Sequence, residues 1–137
     1  MSLYQIVLRL ARNPGFPEGD DSQGYVLIAP LDAQDRLDPV VWRQTRDACT
    51  VVRFKPGEEK DADGRLSHNG SSWFFHYDEA REGADEPVYR LGDHRLAIGD
   101  YLTIHESDGK SLTYKVTQRT PVRASNDQQT SAQEGAR

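Results

Sequence analysis

Four histidines, His68, His76, His94 and His105, are the side chains of this sequence best suited to general-base chemistry or metal ligation. No two are spaced as His-x-His or His-x-x-x-His, so no single strand or helix presents a ligand pair. A metal or a transferred proton therefore requires two or more of His76, His94, His105 and Asp78 or Asp93 to converge through the fold. Asp93 directly precedes His94, but neighbours in a strand point to opposite faces, so adjacency alone does not orient the ring. The segment Asp61-Ala62-Asp63-Gly64 invites a calcium reading. With Gly64 as sixth residue of a twelve-residue loop, however, the last position is Gly70, where a bidentate Glu is needed. The segment reads instead as an acidic turn. Cys49 has no activating neighbour in sequence and reads as a small core residue. Nucleophile-elbow, phosphate-loop and dinucleotide-binding motifs are absent, so no catalytic residue, metal or cofactor is assigned.

Anion recognition is the remaining chemistry. Arg46, Arg53 and Lys55, with Arg43 nearby, form the one local basic cluster, and Trp42 is placed to lie against it. Such a grouping binds a carboxylate or phosphate, or neutralises acidic loops of the same molecule; the second role is favoured. The ligand-binding candidates are Trp42, Arg46, Arg53, Lys55, His76 and His94. Trp73, Phe75 and Tyr77 are read as core, while Phe74 and His76 mark a second face that is either covered or used for contact.

These side chains must be positioned mainly by strands. From Asp100 to Val116 apolar and polar residues alternate on two arms, as a half-buried hairpin requires. A three-residue Ser107-Asp108-Gly109 loop with Gly109 left-handed sets Ile104 against Leu112, Leu102 against Tyr114, and Glu106 against Lys110 as an opposite-charge pair. A two-residue loop would mix the faces. Leu3 to Arg12 reads as a strand with Tyr4, Ile6, Leu8 and Leu10 inward. It is followed by a rigid, acidic loop over Asn13 to Asp21 and an antiparallel strand over Tyr25 to Ala29. Leu31 to Leu37 is a turn-rich connection.

Asp38-Pro39 starts the only convincing helix. Val41, Trp42, Thr45, Ala48 and Cys49 form its inward stripe, and Arg43 and Asp47 a surface pair. Thr50 to Lys55 is a strand stopped by Pro56-Gly57. Asn69-Gly70 predicts a two-residue hairpin turn with Leu66 opposite Trp73. Val88 to Leu91 and His94 to Ile98 read as short strand segments, and Gly99-Asp100 turns into the last hairpin. The sum is a mainly β protein, α+β at the margin: an antiparallel sheet curled into a small barrel or roll with one short helix.

The 137 residues suit one domain, expected over 1–120, with a disordered tail over 121–137 that has no large apolar residue after Val122. More than half of the 22 acidic residues fall in the stretches 18–21, 58–63 and 78–86, so the net charge of −5 belongs to those loops and the remainder is basic. That balance disfavours non-specific nucleic-acid binding. A single cysteine precludes an internal disulfide. The opening residues carry no secretory signal pattern, and the longest apolar run, Tyr25 to Pro30, is far below the ~20 residues of a membrane span. A soluble cytoplasmic protein is expected.

Ala29-Pro30-Leu31-Asp32, Trp42, Arg46 with Cys49, Arg53-Phe54 with Pro56-Gly57-Glu58, Trp73, Tyr77-Asp78, Gly92-Asp93-His94-Arg95 and Gly99-Asp100-Tyr101 together resemble a group of small uncharacterised proteobacterial proteins, over roughly residues 3 to 120. The resemblance implies a bacterial cytosolic, stand-alone domain and carries no activity, cofactor or site residue. Without a catalytic constellation, the reading leans away from an enzyme. It is a non-catalytic binding or interaction module, meeting a protein or small anionic ligand through its aromatic strand or basic cluster. Two alternatives remain. A small metal-dependent or histidine-using enzyme needs converging imidazoles, and a single-stranded nucleic-acid binder needs Phe74 exposed beside arginines.

Overall fold

The computed structural model describes residues 3–57, 62–69, 72–77, 86–88, 91, 94–106 and 109–122. Eight strands are β1 (Leu3–Leu10), β2 (Asp20–Pro30), β3 (Thr50–Phe54), β4 (Ala62–Asn69), β5 (Ser72–Tyr77), β6 (Glu86–Pro87), β7 (Tyr101–His105) and β8 (Ser111–Pro121). One helix, α1 (Pro39–Gln44), runs into a 3₁₀ turn over Arg46–Ala48. The strands form one antiparallel sheet in the order β6-β5-β4-β3-β2-β1-β8-β7. An isolated bridge between Val88 and Ile104 brings its two edges together. The result is a nearly closed up-and-down barrel, in which the seam between β6 and β7 is the weakest join.

Side-chain alternation decides the inner face. Ile6, Leu8 and Leu10 of β1, Tyr25, Leu27 and Ala29 of β2, Leu102 and Ile104 of β7, and Tyr114 and Val116 of β8 are all buried. The last hairpin has the expected register, with Ile104 opposite Leu112, Leu102 opposite Tyr114, and Gly109 at φ +89°. Glu106 and Lys110 are joined through their backbones, N to O 2.8 Å. The Glu106 carboxylate, however, continues the inward phase of Leu102 and Ile104 and is 5% exposed, so the expected surface pair with Lys110 is replaced by interior contacts.

Other expectations change in register. Leu66 lies opposite Phe75, and His68 opposite Trp73. Each partner is therefore two residues further on than an Asn69-Gly70 turn sets, and Asn69 itself pairs with Ser72, a one-residue move of the turn that leaves every side chain on its expected face. Val88 contributes one bridge, and 94–98 forms no strand. There the Asp100 carboxylate accepts from the Ala97 amide (3.1 Å), and Leu96, fully buried, donates its amide to Asp35 O (2.8 Å). The segment thus packs across one barrel end instead of pairing in the sheet. Asp38 caps α1 by accepting from the Val40 and Val41 amides (3.0 and 3.2 Å). Of the expected stripe, Trp42 and Cys49 are buried, but Ala48 is exposed because the 3₁₀ turn rotates it away. Asp47 bonds Arg65 of β4 (2.9 Å), not Arg43.

The two barrel ends differ. At one, Trp42, Leu31, Leu37, Leu91 and Leu96 close the core, with Trp42 Nε1 donating to Leu66 O (2.9 Å). At the other, the chain passes from β1 to β2 through the 11–19 loop, which carries Glu18. β8 extends to Pro121, and Val122 N donates to Leu3 O (2.8 Å), one residue past the expected boundary of 120. The rest of the expected tail lies outside the described residues.

Gly24 of β2 pairs with Arg9 on one side and Phe54 on the other. A Cβ there would stand 1.8 Å from Leu8 O. Gly24→Ala is therefore expected to shift the β1–β2 pairing and cost about 1–3 kcal/mol. Urea unfolding should show a lower midpoint at unchanged slope.

Candidate functional site

The structure divides the sequence candidates among four places. Trp42 is buried under α1, with the Arg46 guanidinium 5.0 Å over its ring. Arg53 and Lys55 leave this pair and turn into the barrel, because Arg53 shares the inward phase of Val51. His76 is exposed on the outer face of β5, opposite Arg65. His94 lies beside Arg36, Arg95, Asp100 and Tyr101 in the segment before β7. The basic cluster of the linear sequence is thus split between inside and outside.

The other histidines are equally dispersed. His68 stacks on Trp73 (4.1 Å between centroids) and meets Trp42 edge-on (5.7 Å), while His105 Nδ1 is 2.5 Å from Ser111 Oγ on the outer face. Asp78 and Asp93 lie outside the described residues. Among the described residues, no three His, Cys, Asp or Glu side chains are grouped to hold a metal. Gly64 is a strand residue opposite Tyr77, so the calcium-loop arrangement does not form; Glu59, Asp61 and Gly70 are outside the described residues. Cys49 is buried beside Thr45 Oγ1 (3.6 Å), and burial pushes its thiol pKa up. Phe74 is half-buried between Ser67 and Pro87 of the adjacent strands, away from the helix arginines.

Inside the barrel, at the end opposite Trp42, the strands assemble a polar network. Glu86 Oε1 accepts from Tyr77 (2.7 Å) and Tyr25 (3.1 Å), and its Oε2 accepts from Arg53 Nη1 (3.0 Å). Glu106 Oε2 accepts from the Tyr114 hydroxyl and from Tyr25 at 3.5 Å, and Lys55 Nζ lies 3.4 Å from its Oε1. Gln23 Nε2 donates to Tyr114 Oη at 3.5 Å. Among the described residues, two carboxylates face two cations here. Burial, then the charge of Glu86, drives the Tyr25 and Tyr77 hydroxyl pKa values far above normal; burial and the bond to Glu106 do the same for Tyr114. Burial opposes the charge of Arg53, but Glu86, Tyr77 and Tyr25 outweigh it and hold the guanidinium ionised. With hydroxyls that keep their protons and carboxylates already bonded, this network locks the barrel and offers neither a base nor a vacant cation.

A second constellation lies on the outer face. Arg9 of β1 pairs directly with Lys115 of β8, and Lys115 with Tyr101 of β7. Three neighbouring strands therefore carry a row of two cations and a tyrosine that is 53% exposed. Register breaks flank Arg9 on both sides. The jump from Leu8–Val116 to Val7–Gln118 leaves Thr117 extra in β8, and that from Arg9–Gly24 to Leu10–Asp20 leaves three residues extra in β2. Thr117 Oγ1 receives Arg9 Nη1 at 2.8 Å.

The adjacent wall is the 11–19 loop. Asn13 donates to Thr113 O and accepts from Thr113 N, both at 2.9 Å, so this loop is tied to β8 as if it were a strand. Row and wall enclose a groove of about 510 Å³, with Arg12 adding a cation and Glu18 and Asp21 adding carboxylates. The sequence reading missed Arg9, Arg12, Lys115 and Tyr101. Outward phase was their only signal, and it says nothing about which strands become neighbours.

Comparison with known proteins yields no matching family, no matching curated protein and no matching solved structure.

Two outcomes follow from the interior. In the unfolded chain tyrosines ionise near pH 10, whereas the folded barrel keeps the Tyr25, Tyr77 and Tyr114 protons. Stability is thus fully present below that pH and falls as pH rises above it. Tyrosinate absorbance and circular dichroism followed together should show part of the absorbance arriving only with loss of structure. Glu86→Ala removes the buried carboxylate partner of Arg53, at an expected cost of about 3–5 kcal/mol. A Glu86→Leu/Arg53→Met double variant should recover most of that, and a double-mutant cycle measures it.

Proposed function

We propose that this protein is a non-catalytic binding module and that it holds a small anion in the outer groove between β7, β8, β1 and the 11–19 loop. The observation that carries this reading is the direct opposition of Arg9 and Lys115 in the sheet. Like charges opposite one another destabilise an antiparallel pair, and an anion between them reverses the sign of that interaction. Arg12 strengthens the field, and the Asn13 tether means that the groove wall requires little ordering on binding. Arg53 and Lys55, ligand candidates for which the sequence favoured an internal neutralising role, are held by Glu86 and Glu106. The dispersal of the four histidines speaks against the enzyme reading, and the partial burial of Phe74 against a single-strand nucleic-acid platform.

No helix among the described residues is long and apolar enough to cross a membrane. The solitary cysteine is in keeping with a reducing compartment. The module is read as a bacterial cytosolic domain of the uncharacterised proteobacterial group named above, a reading supported by the residues quoted there.

Titration with inorganic phosphate, followed by amide shifts, should move 9–12, 101 and 113–117 saturably. Lys115→Gln and Arg9→Gln should each weaken binding about tenfold or more, the loss of one charge-assisted hydrogen bond. A titration that leaves those amides still, with the fold intact, overturns the reading.

A further inference from the structure

Resting on the groove reading above, we infer that the anion is the phosphate of a nucleoside 5′-monophosphate, with its base against Tyr101. Two opposed cations call for a dianion, and a phosphomonoester carries close to two charges at neutral pH, where a carboxylate carries one. Beside them, Tyr101 is more than half exposed although its strand neighbours Leu102 and Ile104 are buried. An outward aromatic next to a cation on a sheet is the arrangement on which nucleobases stack, irrespective of base identity.

The spacing agrees. Tyr101, Lys115 and Arg9 occupy adjacent strands in one row. A phosphate between the two cations therefore stands one and a half strand spacings from the tyrosine, about 7 Å. A ribose fills that interval. Asp21, which repels a bare anion, gains a role here: its carboxylate lines the groove and accepts from the hydroxyls that a sugar supplies.

The test compares inorganic phosphate, adenosine and adenosine 5′-monophosphate by amide shifts, on the full chain and on Tyr101→Ala. Tyr101 is exposed, so its removal leaves the core intact. The nucleotide should bind about tenfold tighter than phosphate, the contribution of one stacked base. On Tyr101→Ala the nucleotide's affinity should fall to that of phosphate measured on the same variant, and with the full chain contacts between base and Tyr101 ring protons should appear in nuclear Overhauser spectra. Equal affinity for phosphate and nucleotide, or a nucleotide affinity indifferent to Tyr101→Ala, overturns this inference and leaves the anion groove standing. Adenosine binding as tightly as its monophosphate also overturns it. No response at the groove to any of the three removes both.

Discussion

The Tyr25 hydroxyl, lying between the Glu86 and Glu106 carboxylates, is the contact on which the closed form of this barrel depends. Glu86 stands on β6 and Glu106 immediately follows β7, the two strands that the backbone joins by one bridge only. Pro87, without an amide proton, further limits what β6 contributes to the ladder. Side chains therefore span the seam: from either side a carboxylate reaches across the interior to β2 and to the cations at the end of β3. Burying two ion pairs is costly, and hydrocarbon of equal volume would serve stability as well. What hydrocarbon does not supply is uniqueness. A one-residue slip of any of these strands would send its charged member outside and leave the opposite charge buried, so the network makes the observed register the only low-energy one.

That arrangement determines where binding can occur. Because the interior cations are neutralised from within, the anion site proposed above lies on the outer surface, where Arg9 and Lys115 face one another directly. The register breaks on either side of Arg9 are the local distortions that open a groove in an otherwise regular sheet. Asn13, using its amide as a surrogate strand, supplies the wall. In the proposed site the Glu18 and Asp21 carboxylates favour ligands that bring hydroxyl donors along with their anionic group.

Much of this fold was legible in the residues. The hairpin around Gly109, the helix start at Asp38-Pro39 and the inward sets of β1, β5, β7 and β8 all follow from local chemistry: turn geometry, capping and alternation. The misplaced partner of Leu66 shows the limit. Asn69-Gly70 marks a turn, but whether it closes there or one residue on depends on how Trp73 and Phe75 pack, and both choices keep the same faces. His94 to Ile98 alternates like a strand, yet the Leu96 amide bonds Asp35 O and the Ala97 amide bonds Asp100, so Leu96 plugs the barrel end instead. Asp47 chose Arg65 over Arg43 because β4 passes beside the 3₁₀ turn, a fact of packing and not of helix spacing.

The candidate sites divide along the same line. Alternation alone placed Glu106 with Leu102 and Ile104, and Arg53 with Val51, so the sequence already committed those charges to the inside. It could not say that they would meet Tyr25, Tyr77 and Tyr114 there. Nor could it say that Arg9 would face Lys115, because β1 and β8 become neighbours only when the sheet curls shut. The face a side chain takes is set by the two-residue repeat of its own strand, a local property. The partner it finds is set by closure between segments far apart in the chain, and only the assembled barrel decides that.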